Sequence, residues 1–380
     1  MEHGDEAVVR LTVTNAWSLA GVLHALKTSA AQSTGASSGS GAGQARRGGG
    51  ASQHARGGGT RVVCSVCLSS EGAHIQWDDE TKSLQSQIMV RKDSFSDIYV
   101  HHTVEDRRVK FGVGLGQLAD TLSLFESELG SSEGLVVSYN PSDEKQLQIE
   151  TRSVVSLDDV VVAEEGGRGR QQQRGSSAPE DVEVNTYAKI AVQSDPPAYV
   201  DWLDAWEGPD TSFHVPSRLL REAVEDLEWP GGSVRLSVTR SPPQVEFVSA
   251  GAGALSVKLP ESEVSGLHCS ADHVCHAYSF RSLRKTLGAQ SPQGGLPGLA
   301  DDGDALTKVS VSAQGTLKVM HMISSSSRGH RGGGDDDGDG SGGVTLYGNT
   351  SYFSASAPGG GGNLGRMGIV QYVLLPLAGA

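Results

Sequence analysis

At 380 residues, 50 of them glycine, the chain has room for about two domains and a folded part shorter than its length suggests. A formal charge of −14 excludes a body coated in basic groups, so any contact with nucleic acid has to be a local cationic surface. Four cysteines make no disulfide framework and suit a reducing compartment, and no apolar run approaches the roughly 18 residues of a membrane span.

The predicted elements begin after an acidic, polar stretch, residues 1–5, that is unlike a secretory leader. Residues 8–13 alternate as a strand, and Asn15 offers a side-chain cap to a helix over 16–27. Residues 29–60 are mostly Gly, Ser, Ala, Gln and Arg, with almost nothing to bury, and disorder is expected there. Strand patterns follow at 61–69, 73–77, 86–90 and 97–104. Residues 107–114 lead into a helix over 117–129 that carries Leu118, Leu122 and Phe125 at helical spacing. Residues 134–139 and 146–150 pair across an Asn-Pro-Ser-Asp turn. Next, 154–162 and 182–192 form a hairpin whose polar tip, 164–181, is again expected to be disordered.

Residues 193–211 hold Pro196, Pro197 and Pro209 among Tyr199, Trp202 and Trp206, and read as an extended connector. Beyond it come a strand at 213–215, a helix at 216–228 and strands at 233–239, 244–248, 255–259 and 273–278. A helix at 280–287 and strands at 308–312, 316–323, 344–347 and 370–375 complete the chain. Loop insertions at 289–304, 324–343 and 357–366 fall beside these elements, where extra length costs little.

The two halves repeat one another. The apolar stripe Leu19, Leu23, Leu26 recurs as Leu220, Val224, Leu227 roughly 200 positions later. Residues 62–77 are echoed by 234–247, and Leu118 and Leu122 by Leu283 and Leu287. The spacing shrinks after the first pair because residues 29–60 exist only in the first copy. This predicts two similar domains, 1–192 and 212–380, joined by the connector 193–211.

Several chemical motifs are read and set aside. Cys64 and Cys67, with His268, Cys269, His273, Cys275 and His276, invite zinc, but residues three apart on a strand point to opposite faces. Asp335, Asp337 and Asp339 before Gly340 open like a calcium loop, yet the twelfth position is Leu346 and no helices flank it. Gly112, Gly114 and Gly116 lie between strand and helix, but Gln117 stands where a dinucleotide loop needs its last glycine. Gly35, Ser37 and Gly39 match a hydrolase elbow by letters alone. Asp78 and Glu80 resemble the opening of a two-metal exonuclease, which needs further converging carboxylates; Asp93, Asp97, Asp120 and Asp158 are undistinguished candidates. A polar hairpin end is the plainer reading.

The informative charges sit on helices. Over 216–228 the apolar positions are Leu219, Leu220, Ala223, Val224 and Leu227, with Arg218 and Arg221 on the opposite side. Over 280–287 they are Phe280, Leu283 and Leu287, which is expected to leave Arg281, Arg284 and Lys285 outward. His24 and Lys27 take the polar side of the first helix, while Glu222, Glu225 and Asp226 dilute the positive face of the second.

Two copies of strand–helix–strands–helix–strands resemble the sliding-clamp fold of proliferating cell nuclear antigen. Within it the chain is similar to the Rad-one subunit family of the nine-one-one DNA-damage checkpoint clamp. The residues that carry this likeness run from Val109 to Leu115 and from Leu118 to Phe125. Further matches are Leu267 to Cys269, Gly315 to Ile323 and Ile369 to Pro376. The resemblance implies an α+β protein of two clamp domains, with antiparallel sheets outside and helices lining the inner face of a heterotrimeric ring. It implies a non-catalytic, cofactor-free and metal-free subunit in the nucleus, with no membrane partner. The implied partners are two sister clamp subunits, a clamp loader, duplex DNA held without sequence preference, and repair and checkpoint proteins. DNA would meet Lys27, Arg218, Arg221, Arg281, Arg284 and Lys285; partners would meet Tyr199, Trp202 and Trp206. The alternatives are a 3′–5′ exonuclease carried by Asp78 and Glu80, and a homotrimeric replication clamp.

Overall fold

The structure, a computed structural model, describes residues 9–13, 19–20, 22–23, 62–79, 81–101, 108–125, 134–140, 145–156, 181–199, 202, 206, 208–228, 232–250, 253–287, 306–324 and 366–378. The chain divides into two compact units, the first ending at Val200 and the second starting at Asp201.

Unit 1 contains β1 (Val9–Val13), β2 (Val63–Ser69), β3 (Gly72–Asp78), β4 (Leu84–Arg91), β5 (Phe95–Val100) and β6 (Arg108–Gly114). Helix α1 (Leu115–Leu124) follows, then β7 (Leu135–Tyr139), β8 (Gln146–Ser156) and β9 (Asp181–Ala191). Residues 19–20 and 22–23 are also helical, and Leu19, Ala20, Val22 and Leu23 are all buried. One antiparallel sheet runs β5-β1-β7-β8-β9. A second set of antiparallel pairings runs β6-β2-β3-β4.

Unit 2 has β10 (Thr211–Pro216), α2 (Ser217–Glu225) extended by the 3₁₀ turn Asp226–Glu228, and β11 (Ser233–Thr239). Next come β12 (Gln244–Ala250), β13 (Ala254–Lys258), β14 (Ser265–Cys269), β15 (His273–Ser279) and α3 (Phe280–Lys285). The unit closes with β16 (Leu306–Val311), β17 (Leu317–Ser324) and β18 (Arg366–Leu374). Its pairings run β14-β10-β16-β17-β18 and β15-β11-β12-β13. Each neighbour relation in unit 1 thus has a counterpart in unit 2, with β1 answered by β10, β2 by β11 and β7 by β16.

Alternation builds the cores. On β2, Cys64, Val66 and Leu68 are buried while Ser65 and Cys67 face the other way; on β3, Ile75 and Trp77 join the buried side. On β11 the same role falls to Val234, Leu236 and Val238, and on β12 to Val245 and Phe247. Helix α1 buries Leu115, Leu118, Ala119 and Leu122, and α2 buries Leu220, Ala223 and Val224. Each such leucine or phenylalanine contributes about 2 kcal/mol of transfer free energy. Among the described residues no helix is long and apolar enough to cross a membrane.

Three sequence expectations are corrected. Strand β8 runs unbroken through Thr151 and Arg152, where polarity suggests a gap; Thr151 is buried and Arg152 exposed, so the alternation carries on. It pairs with β7 on one side and with β9 on the other. Helix α1 stops at Leu124, with the Phe125 N–H folding back onto Leu122, and α3 stops at Lys285. Strand β14 has no match among the expected strands, because it is short and its register against β10 shifts between Ser212 and His214. Most of the helix at 16–27, with Asn15, and the strand at 344–347 lie outside the described residues. So do 29–60, 289–304 and nearly all of 164–181, 324–343 and 357–366.

Candidate nucleic-acid interface

The sequence places its basic helical residues on α2 and α3, and in unit 2 these two helices pack against each other. Ser279 caps α3, its hydroxyl oxygen accepting from the Ser282 N–H at 3.4 Å. Arg218 and Arg281 are exposed, and Arg221 and Arg284 half-buried. Arg218 lies 3.6 Å from Glu222, one turn on, with its side chain 75% exposed. So open an ion pair is worth little, which leaves the arginine available to an outside anion.

Lys285 is a correction. Helical spacing puts it outward, but only 5% of it is exposed. Phe280, Ser282, Leu283 and Lys285 are all buried, so water reaches α3 only along the arc that carries Arg281 and Arg284. Lys27 lies outside the described residues.

Beneath these helices is a buried polar chain that sequence reasoning misses. The His321 Nε2 lies 2.6 Å from the Thr286 carbonyl oxygen, and Nδ1 lies 2.9 Å from Thr307 Oγ1. Thr307 Oγ1 is in turn 2.8 Å from Ser217 Oγ. A carbonyl can only accept, so Nε2 carries the proton and Nδ1 accepts from Thr307, whose oxygen is left to accept from Ser217. The chain ties the start of α2 to β16, β17 and the end of α3. The available signal is His321 itself, on the inward side of β17 after Leu317 and Val319.

The connector aromatics have separate fates. The backbone of Gln193 pairs both ways with Gly112 at 2.8 Å, and the Tyr199 hydroxyl donates to the Val63 carbonyl. Tyr199 is thus committed to unit 1, and burial raises its pKa. Trp202 and Trp206 are half-buried, and the Lys318 ammonium stands 4.5 Å from the Trp206 ring centre, a cation–π contact.

The set-aside motifs have structural roles. Cys64 points its thiol at the Val113 carbonyl, 3.2 Å away, and burial pushes its pKa up to about 12. Cys67 faces the other way and is also raised, by burial, so neither is an activated thiolate. Among the described residues no cluster of His, Cys, Asp and Glu could hold a metal. Asp78 accepts from Gln85 Nε2 at 2.9 Å, and burial raises its pKa; Glu80 lies outside the described residues. Neighbouring Asp79 organises the β3–β4 turn, accepting from the N–H groups of Ser83 at 2.8 Å and Leu84 at 3.0 Å. The calcium-like and elbow-like motifs fall outside the described residues.

No family profile matches this chain, and no curated protein matches it. Among solved structures, the chain is similar to the crystal structure of proliferating cellular nuclear antigen from Entamoeba histolytica. The TM-score is 0.53 at 11% identity, over 98% of this chain and 100% of that one. The fold is therefore that of a sliding clamp, built mostly of antiparallel sheets with few helices.

Proposed function

We propose that the chain is a non-catalytic subunit of a DNA sliding clamp, and more finely the Rad-one-type member of a heterotrimeric checkpoint clamp in the nucleus. The observation that carries this reading is the repeated topology: one strand, one helix, five strands, one helix and three strands, twice over, in the fold of a clamp. A two-unit chain supplies one third of a six-unit ring, which makes two sister subunits obligatory. Two edges suit that closure. Strand β9 ends one sheet of unit 1 and β13 ends the four-stranded sheet of unit 2, each with one side unpaired among the described residues. An acidic protein whose arginines gather on α2 and α3 has what a sliding surface needs: loose phosphate contacts, sensitive to salt and blind to sequence. A clamp loader would open and close the ring, and checkpoint and repair proteins would gather on it.

The test is topological. Purified with its sister chains and a loader, the protein should stay on nicked circular DNA through a salt wash and leave when the circle is cut. Retention that ignores linearisation would end the clamp reading. Native mass spectrometry of the endogenous complex then decides the finer question. Three distinct chains support the checkpoint ring, and three copies of one chain a replication clamp. Magnesium-dependent digestion of labelled duplex, abolished by Asp78→Ala, would instead favour the exonuclease.

A further inference from the structure

Strand β6 is the last strand of its sheet, paired with β2 on one side only. Its open side is used once: the Gly112 N–H and carbonyl each bond Gln193 at 2.8 Å, in an isolated antiparallel bridge. Backbone groups of successive residues in an antiparallel ladder point to alternate sides, so those of Lys110 and Arg108 aim outward with those of Gly112. The Leu115 N–H keeps the same phase, turned inward to the Val62 carbonyl at 2.9 Å. Beyond Gln193 the connector bends at Ser194 and Asp195, and Pro196 and Pro197 have no N–H with which to extend the ladder. Among the described residues, the N–H and carbonyl groups of Arg108 and Lys110 are therefore left open along the edge.

The side chains add charge to this edge. Arg108 and Lys110 are exposed on one face of β6, while Val109 and Phe111 are buried on the other. Neither cation is in an ion pair among the described residues. Unit 2 supplies an internal comparison. Its counterpart edge, β15, is bridged in the same way, the Leu377 N–H donating to the Ala277 carbonyl at 2.8 Å. Where β6 goes on to Lys110 and Arg108, β15 goes on to Cys275 and His273, and His273 Nε2 is already 2.9 Å from Ser237 Oγ. The cations belong to one copy of the edge alone.

We propose that the β6 edge at Arg108 and Lys110 docks an acidic, strand-forming segment of a partner protein by antiparallel strand addition. Residues of the segment directly opposite Arg108 and Lys110 exchange both backbone bonds with them, at a Cα separation of about 5.5 Å. These two positions are two apart, so their side chains share the cationic face and are acidic. The residue between them lies on the side of Val109 and Phe111 and is apolar. Charges on an open edge deter pairing with neutral strands, and here the same charges select an acidic one. The inference does not rest on the clamp reading.

The probe is a short fluorescein-labelled peptide centred on glutamate–valine–glutamate, titrated onto the full chain and followed by anisotropy at low and at raised salt. Saturable binding that weakens with salt is expected. Arg108→Gln and Lys110→Gln should each weaken it about threefold, the scale of one opposite-charge pair across strands. Arg235→Gln, which removes an exposed cation from the inner strand β11, should leave it unchanged. The backbone is tested on the unaltered protein. Methylating the amide nitrogens of both glutamates should abolish binding, whereas methylating that of the valine, which points away from β6, should spare it. No saturable binding, or an equal loss in Arg235→Gln, would overturn the docking edge. Equal effects of the two methylations would overturn strand addition. Tighter binding of a fluorescein-labelled oligothymidine, lost in the same two variants, would overturn the peptide in favour of nucleic acid. Retention on circular DNA is read separately in these variants, so failure here leaves the clamp test standing.

Discussion

His321 holds the end of α3 by a single hydrogen bond, from its Nε2–H to the Thr286 carbonyl oxygen 2.6 Å away. Because the ring must remain neutral to accept from Thr307 as well, burial keeps its pKa low, at about 4. In the unfolded chain the same group titrates near pH 6.5. Above that value both states are neutral and the contribution is whole. Between the two values only the unfolded chain takes up the proton, so stability falls as pH drops. From about pH 7.5 to about pH 5 the loss should be roughly 2 kcal/mol in urea unfolding. His321→Asn should flatten that dependence. Parallel pH curves for the two proteins would refute the assignment.

Gly315 closes the β16–β17 turn with φ of +86°, and a Cβ there would meet His276 Nδ1 at 2.5 Å and the root of the ring at 2.9 Å. Its carbonyl also accepts from the buried Tyr278 hydroxyl at 2.8 Å. Gly315→Ala should therefore cost about 1–3 kcal/mol of stability. In a double-mutant cycle His276→Ala should recover the steric part and leave the backbone part. A fully additive cycle would show that the ring is not the obstacle.

Asp79→Ala should remove the acceptor for two turn N–H groups and the Thr81 hydroxyl, which bonds it at 2.7 Å. Stability on denaturation should fall by about 1–2 kcal/mol, with Asp79→Asn recovering part of it. An unchanged midpoint for Asp79→Ala would mean the backbone alone sets the turn.

Reversing Arg218, Arg221, Arg281 and Arg284 together should weaken retention on DNA and lower the slope of log affinity against log salt by about 0.9 for each phosphate no longer neutralised. Lys285→Glu should instead lower Tm, because the residue is buried in α3. An unchanged slope in the arginine variant would take α2 and α3 off the DNA path.

Much of the repetition is legible because it is written in periodicity: Val234, Leu236 and Val238 alternate as plainly as Cys64, Val66 and Leu68. Helix ends are less so, since α3 is stopped by Thr286, whose hydroxyl bonds the Leu283 carbonyl at 2.7 Å, and spacing does not encode that bond. Lys285 misleads for a related reason: a pattern of apolar residues says which face is buried first, not how far burial wraps around a short helix. The Ser217–Thr307–His321–Thr286 chain is invisible in sequence because it joins residues far apart, each ordinary alone. Arg108 and Lys110 are likewise unremarkable until strand pairing leaves their side of β6 open.

The repeat is topological but not chemical. Helix α1 carries no lysine or arginine along its length, whereas α3, its counterpart in the second half, carries Arg281 and Arg284 to the surface. Under the clamp proposal, any phosphate contacts of Arg281 and Arg284 have no counterpart along α1, so the duplicated helix would add little to the hold on a duplex.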